Sequence, residues 1–204
     1  MSAEPFPATT PLKEFENLPD SAICKIDEAD SPWGDYGRIL IHGMSAHLGR
    51  KGGESDPIQY ERTGPFVPPI TFPGIRDIIV TDAMKQAMEA AGFRGISFRT
   101  VILAHIVEVP WHTWDIKAEE PKYFPEGGEP EEYILAKAND PVLARQIGPL
   151  WEVVVQEGSE KDCDMFKIPG SGRTHVSGRA RLWFQKYFSR WTSFEPAPTP
   201  NKGS

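Results

Sequence analysis

The sequence predicts an α+β fold, with mixed α/β as the variant, in which about three helices lie on short strands joined by long Pro/Gly-rich loops. Three observations carry this reading. Twenty prolines and 18 glycines in 204 residues exceed the ordinary background and keep regular elements short. Two segments, behind Thr81 and behind Ser177, place apolar residues at helical spacing after a hydroxyl cap. Between and around them stand brief apolar runs of strand length. With 39% apolar and 25% charged residues, the composition is that of a globular chain and excludes bulk disorder. The length suits one large domain or at most two small ones.

Taken in order, residues 1–36 hold eight acids against Lys13 and Lys25. They read as an acidic, Pro-rich arm with one short helical turn near Leu12 to Leu18. A single domain is expected over 37–195, followed by a flexible tail over 196–204. Gly37 to His42 reads as a strand. Residues 43–74 show little periodicity and read as a long loop, which needs a functional or packing reason. Ile75 to Val80 is a strand. Thr81 then caps a helix with Met84, Ala87, Met88 and Ala91 on one face, stopped by Gly92. Ile96 to Val109 is apolar on both faces, the signature of one central strand. Glu132 to Lys137 is a strand candidate. Asp140-Pro141 is a cap and first-turn pair for a short helix ending at Gly148. Leu150 to Val155 is a strand. Arg173 to Val176 leads into Ser177, a second cap, and Ala180, Trp183, Phe184, Tyr187 and Phe188 share a helical face. Thr192-Ser193-Phe194 returns as a strand.

Two of these stretches echo each other at an offset of 96. Val80-Thr81 aligns with Val176-Ser177, Arg94 with Arg190, and Ser97-Phe98 with Ser193-Phe194. The echo spans 76–99 and 172–195. Any two strand–helix–strand units share such grammar, so similarity and coincidence are equal readings of the letters.

Composition and motifs narrow the function. A net charge of −7 argues against a direct nucleic-acid binder, which needs a basic face. Cys24 and Cys163 alone exclude a disulfide scaffold and a four-Cys zinc site; two reduced thiols are expected, with a single disulfide between them as the alternative. The N-terminus lacks a basic and apolar leader, and the most apolar stretch, Val101 to Trp111, is too short to span a bilayer. A cytoplasmic location and no membrane contact follow as expectations. GxxxxGK[ST], GxGxxG and GxSxG are absent from the sequence. His42, His47, His105, His112 and His175 stand at no ligand spacing. No catalytic residue, metal site or cofactor is expected. The weaker enzymatic alternative is a small hydrolase using His105 or His175 with a nearby carboxylate.

Charge distribution points to a surface instead. Asp115, Glu119, Glu120, Glu126, Glu129, Glu131 and Glu132 face only Lys117 and Lys122 in one segment, with Tyr123 and Phe124 inside it. Asp115, Glu119, Glu120, Tyr123, Phe124, Glu126, Glu129, Glu131 and Glu132 are therefore the candidate partner-binding residues, since complementary charge speeds encounter and selects partners. An ordinary solvated loop is the plain alternative. Met165 to Thr192 holds six bases and no acid. It is expected to pair with the acidic half of the same molecule.

Further residues form a pattern. Arg62-Thr63-Gly64-Pro65-Phe66-Val67-Pro68-Pro69-Ile70-Thr71-Phe72-Pro73-Gly74, Ile79-Val80-Thr81, Gly95-Ile96-Ser97-Phe98, Trp111-His112-Thr113-Trp114-Asp115, Gly128 through Leu135 and Leu150-Trp151-Glu152 resemble small cytosolic immunity proteins of bacterial polymorphic-toxin and type VI secretion effector–immunity pairs. The ending Val176-Ser177 through Ser193-Phe194-Glu195 is similar to that of the double-CxxCG immunity group. The CxxCG pairs themselves are absent, so zinc is not carried over. The resemblance covers about residues 37–195. It implies a non-catalytic antitoxin that binds the toxic domain of a cognate effector, a nuclease being one option, and occludes its active site or substrate path. An effector-binding chaperone or adaptor of the same locus is the alternative from that source.

Overall fold

The computed structural model describes residues 6–16, 22–45, 50, 56–120 and 130–197. The fold is mixed α+β, with strands arranged in sheets of four, two and four. In chain order the elements are β1 (Cys24–Glu28), α1 (Gly34–His42), β2 (Gln59–Gly64), β3 (Ile70–Gly74), β4 (Asp77–Thr81), α2 (Asp82–Ala91), β5 (Ile96–Thr100), β6 (Ile102–Glu108), α3 (Pro130–Ile134), α4 (Pro141–Ile147), β7 (Leu150–Val155), β8 (Met165–Lys167), β9 (Thr174–Val176), α5 (Gly178–Phe188) and β10 (Thr192–Pro196). Short 3-10 turns occupy Leu12–Phe15 and Trp111–Thr113. The chain forms two compact units. One comprises Met1–Phe6, Asp30–Gln86 and Phe98–Val154; the other comprises Pro7–Ala29, Ala87–Ser97 and Val155–Ser204.

In the first unit β2 and β6 run parallel, and β3, β4 and β7 are successive antiparallel neighbours. Ile58, Tyr60, Ile79 and Leu150 form one of its core clusters, with Val67, Val101, Leu103 and Ile147 against it. In the second unit the sheet order is β10-β1-β9-β8, antiparallel throughout. Phe93 meets Trp183 and Phe184 edge-on at 5.0 and 5.5 Å. Trp183, Phe184 and Phe188 are buried on α5, and the Trp183 indole donates to Thr10 O at 3.0 Å. The N-terminal turn therefore belongs to a core: Leu12 and Phe15 are buried.

Several sequence expectations need correction. Gly37 to His42 is helix, not strand. Tyr36, Gly37, Ile39, Leu40, Ile41 and His42 are all buried, so the run is apolar because the helix is enclosed on most sides. Periodicity alone does not separate such a helix from a strand. The acidic arm contributes β1, and the supposed long loop over 43–74 contains β2 and β3. β2 lacks strand alternation because Arg62 and Thr63, polar residues, point into the protein, where both are fully buried. Ile75 to Val80 starts late: Ile75 is 72% exposed, and the strand begins at Asp77. Ile96 to Val109 is not one central strand but β5 and β6, which break at Val101 and enter different sheets, β5 at an edge. Glu132 to Lys137 is not a strand; the short helix α3 ends at Ile134. The tail starts later than Pro196, because β10 includes that residue and Ala197 N still donates to Ile23 O at 3.1 Å. The short strands form three sheets, and β8 adds a strand that its length of three residues concealed.

Candidate functional site

The candidate surface is assembled from two chain ends of local structure. Trp33 precedes α1 with φ 59, the left-handed region, and Gly34 follows with φ 55. The Trp33 ring lies 6.2 Å from Tyr36, edge to face, and 6.3 Å from Trp114. After β6, Pro110 opens the 3-10 turn, and its carbonyl accepts from the Thr113 hydroxyl at 2.8 Å. Asp115 then builds a second turn. Its Oδ1 accepts Lys117 N at 3.0 Å, and its carbonyl accepts Ala118 N at 3.1 Å. The Trp33 indole closes the arrangement by donating to Ala118 O at 2.9 Å. An acidic segment is thus fixed onto a half-buried aromatic pair.

On this segment Asp115, Glu119 and Glu120 are exposed. Ile116 beside them is 45% exposed. Glu132 is exposed and Glu131 half-buried on α3, a helix that contacts α1. Ile134 and Leu135, which follow them, are buried. Tyr123, Phe124, Glu126 and Glu129 lie outside the described residues. The structure therefore groups Asp115, Glu119 and Glu120 with Trp33 and Trp114, aromatics that charge counting did not single out as partner-binding. The signal was present as Trp-Gly before one apolar run and Trp-Asp after another, but the pairing requires the fold.

Buried polar groups elsewhere have structural employment. Arg62 is fully buried, and burial lowers its pKa despite the neighbouring Tyr60. Its Nε donates to Thr63 O at 2.8 Å, Nη1 to Tyr60 Oη at 3.0 Å and Nη2 to Phe66 O at 3.2 Å. Tyr60 in turn donates to His42 O, and Thr63 donates to Leu40 O at 2.7 Å. The guanidinium thereby ties α1, β2 and the loop before β3 together. Nearby, Phe66 stacks on His112 and meets Trp111 edge-on. Trp111 Nε1 and His112 Nδ1 are buried without a hydrogen-bond partner among the described residues.

Two carboxylates are clamped by arginines. Glu152 accepts from Arg99 Nε at 2.8 Å and Nη2 at 3.0 Å, and from Arg50 Nη1 at 3.0 Å. Asp164 is fully buried. It accepts from Arg179 Nε at 2.6 Å and Nη2 at 3.1 Å, from Arg94 N at 2.9 Å and from Ser177 Oγ at 3.3 Å. Part of the basic segment is thus paired to acids, Arg179 to Asp164 and Glu16 and Arg173 to Asp27.

The histidines proposed for hydrolysis occupy other settings. The His105 ring meets Lys137 O at 2.8 Å. The His175 ring stacks on Phe166 at 6.0 Å, and burial lowers its pKa, with Lys25 adding to the effect. Neither ring is bonded to a carboxylate among the described residues. Cys24 and Cys163 are free and buried. Among the described residues no three His, Cys, Asp or Glu side chains are placed to hold a metal ion, and no helix is long and apolar enough to cross a membrane. No family model, no curated protein and no solved structure matches the chain.

Proposed function

We propose that this protein is an immunity protein: a cytoplasmic antitoxin that binds the toxic domain of a cognate secreted effector and occludes its active site or substrate path. The observation that carries the reading is the acidic turn Asp115–Glu120 held on Trp33 and Trp114. Aromatic anchors within a charged, exposed rim are the composition of a specific protein–protein interface. The acids would steer a basic partner and set its on-rate, while the half-buried indoles would supply contact area at low entropic cost. A toxin that handles nucleic acid presents such a basic groove, which makes a nuclease the favoured target class.

The test is binding of the purified chain to the C-terminal toxic domain encoded beside its gene. Asp115→Lys, Glu119→Lys and Glu120→Lys together should slow association by about 10-fold or more and weaken its salt dependence. Trp114→Ala should act mainly on dissociation. Binding left unchanged by all four substitutions would remove this surface. Binding without protection of cells would favour the chaperone reading.

A further inference from the structure

Two strand registers in separate sheets are related by fixed offsets of 95 for the first hairpin strand, 96 for the second with its helix and last strand, and 127 for the remaining strand. Adding 96 to β5 gives the bounds of β10, and adding 96 to α2 gives 178–187, within α5. The caps correspond: Met84 N donates to Thr81 Oγ1 at 3.3 Å, and Ala180 N to Ser177 Oγ at 3.3 Å. The incoming hairpins correspond as well. Ile70 faces Val80 as Met165 faces Val176, and Thr81 N donates to Pro69 O at 3.1 Å as Ser177 N does to Asp164 O at 2.9 Å.

The remaining strand of each sheet obeys an offset of 127. Val80 faces Trp151 as Val176 faces Cys24, and Ile79 faces Glu152 as His175 faces Lys25. On its other side the same offset holds independently. Val101 N donates to Leu150 O at 3.1 Å, and Ala197 N to Ile23 O at 3.1 Å. Gln156 N donates to Gly95 O at 3.0 Å, and Ala29 N to Trp191 O at 3.3 Å. The orders β3-β4-β7-β5 and β8-β9-β1-β10 are therefore the same sheet built twice.

Chain order shows which strand belongs to which copy. β1 precedes β3, β4, α2 and β5, and β7 precedes β8, β9, α5 and β10. Each copy thus contains strand, hairpin, helix and strand in that order, the first with α1 and β2 inserted between β1 and β3, yet each leading strand sits in the other copy's sheet. We propose that the chain is a duplicated module whose leading strands, β1 and β7, are exchanged, and that a sign-reversed ion pair assigns each strand to its sheet. Glu152 on β7 pairs with Arg99 on β5 at 2.8 Å, and at the equivalent positions Lys25 on β1 pairs with Glu195 on β10 at 3.0 Å. Without the exchange, Lys25 would face Arg99 and Glu152 would face Glu195. Like charges placed opposite each other destabilise a sheet pair, and such repulsion is how a chain discriminates against an alternative pairing.

The test is crosslinking during oxidative refolding of the full chain. Ser193→Cys with Asp27→Cys reports the observed pairing, because Asp27 faces Ser193. Ser193→Cys with Val154→Cys reports the alternative, because Val154 lies 127 positions from Asp27. Hydrogen-bonded antiparallel pairs have Cα separations of about 5.5 Å, within disulfide reach, and peptide mass mapping separates these bonds from those of Cys24 and Cys163. With native charges the 27–193 bond should form and the 154–193 bond should not. With Arg99→Glu and Glu195→Arg, the ratio should move toward 154–193 by about 10-fold, as two attractive cross-strand pairs become repulsive. An unmoved ratio would overturn the keying. If that variant does not fold, the single sheet decides. Glu195→Arg should lower the melting temperature and Lys25→Glu added to it should restore it; absence of recovery would equally overturn the proposal.

Discussion

Asp164 sits at zero exposure with two arginines, a backbone amide and a hydroxyl turned toward it. A buried carboxylate is tolerable only because every lone pair is used. Replacing it by Asn keeps the shape but leaves Arg179 with Glu16, 52% exposed at its side chain, in place of a buried counter-charge. Loss of one partner of a buried pair costs about 3 kcal/mol. Asp164→Asn should lower the urea midpoint accordingly, as read by far-ultraviolet circular dichroism. His175 gives a pH dependence of definite sign. Burial holds its ring pKa below the ordinary 6.5, so the folded state binds fewer protons than the unfolded one. The stability that this residue contributes is complete above the unfolded pKa and declines as pH falls through 6.5 toward the lowered value. His112, depressed by burial as well, acts in the same direction. The melting temperature should therefore be lower at pH 5 than at pH 7.5, and His175→Phe should remove part of the difference. Arg62 and Thr63 show why β2 was illegible at this scale: their polarity breaks the alternation, and only the buried acceptors around them explain their inward direction.

Among elements, the sequence spoke clearly where local chemistry is self-sufficient. Thr81, Asp140 and Ser177 each cap a helix with the side chain that the letters suggested, because a cap bond spans two or three residues and needs no tertiary partner. Thr81→Ala should cost about 1 kcal/mol. Ser177→Ala should cost more, since its hydroxyl also donates to Asp164 at 3.3 Å; chemical denaturation of the pair tests the ranking. α1 was misread for the opposite reason. Its register depends on Gly37, where a Cβ would stand 1.7 Å from Pro32 O. That approach is itself local, from five residues back; what hides the helix is its burial by the rest of the fold, which leaves Tyr36, Gly37 and Ile39 to His42 without a polar face. Gly37→Ala should force Pro32 and the Trp33 turn apart, costing about 2 kcal/mol as overpacking does. It should also release the Trp33–Ala118 bond, read as a change in tryptophan fluorescence. The candidate site was half legible on the same grounds: acid clustering is written in the sequence, whereas the meeting of Trp33 with Trp114 depends on where α1 begins and β6 ends.

At the scale of the molecule, exposed and buried charge separate by task. Asp164 and Glu152 are enclosed by arginines and serve the fold, while Asp115, Glu119 and Glu120 are exposed on a turn fixed to two indoles. Surface charge that contributes little to stability remains available for steering a partner. Reversing Glu119 and Glu120 alone should therefore leave the melting temperature within a degree or two, in contrast to Asp164→Asn, which ties any loss of binding by that pair to the surface rather than to unfolding, while Asp115→Lys also gives up the bond its carboxylate accepts from Lys117 N. The most direct measurement is growth of cells that co-express this protein with the neighbouring gene's C-terminal domain. The account predicts survival with the native chain and death with the variant carrying Asp115→Lys, Glu119→Lys and Glu120→Lys at equal abundance. Death with abundant native protein, or survival undiminished by the triple reversal, would contradict it.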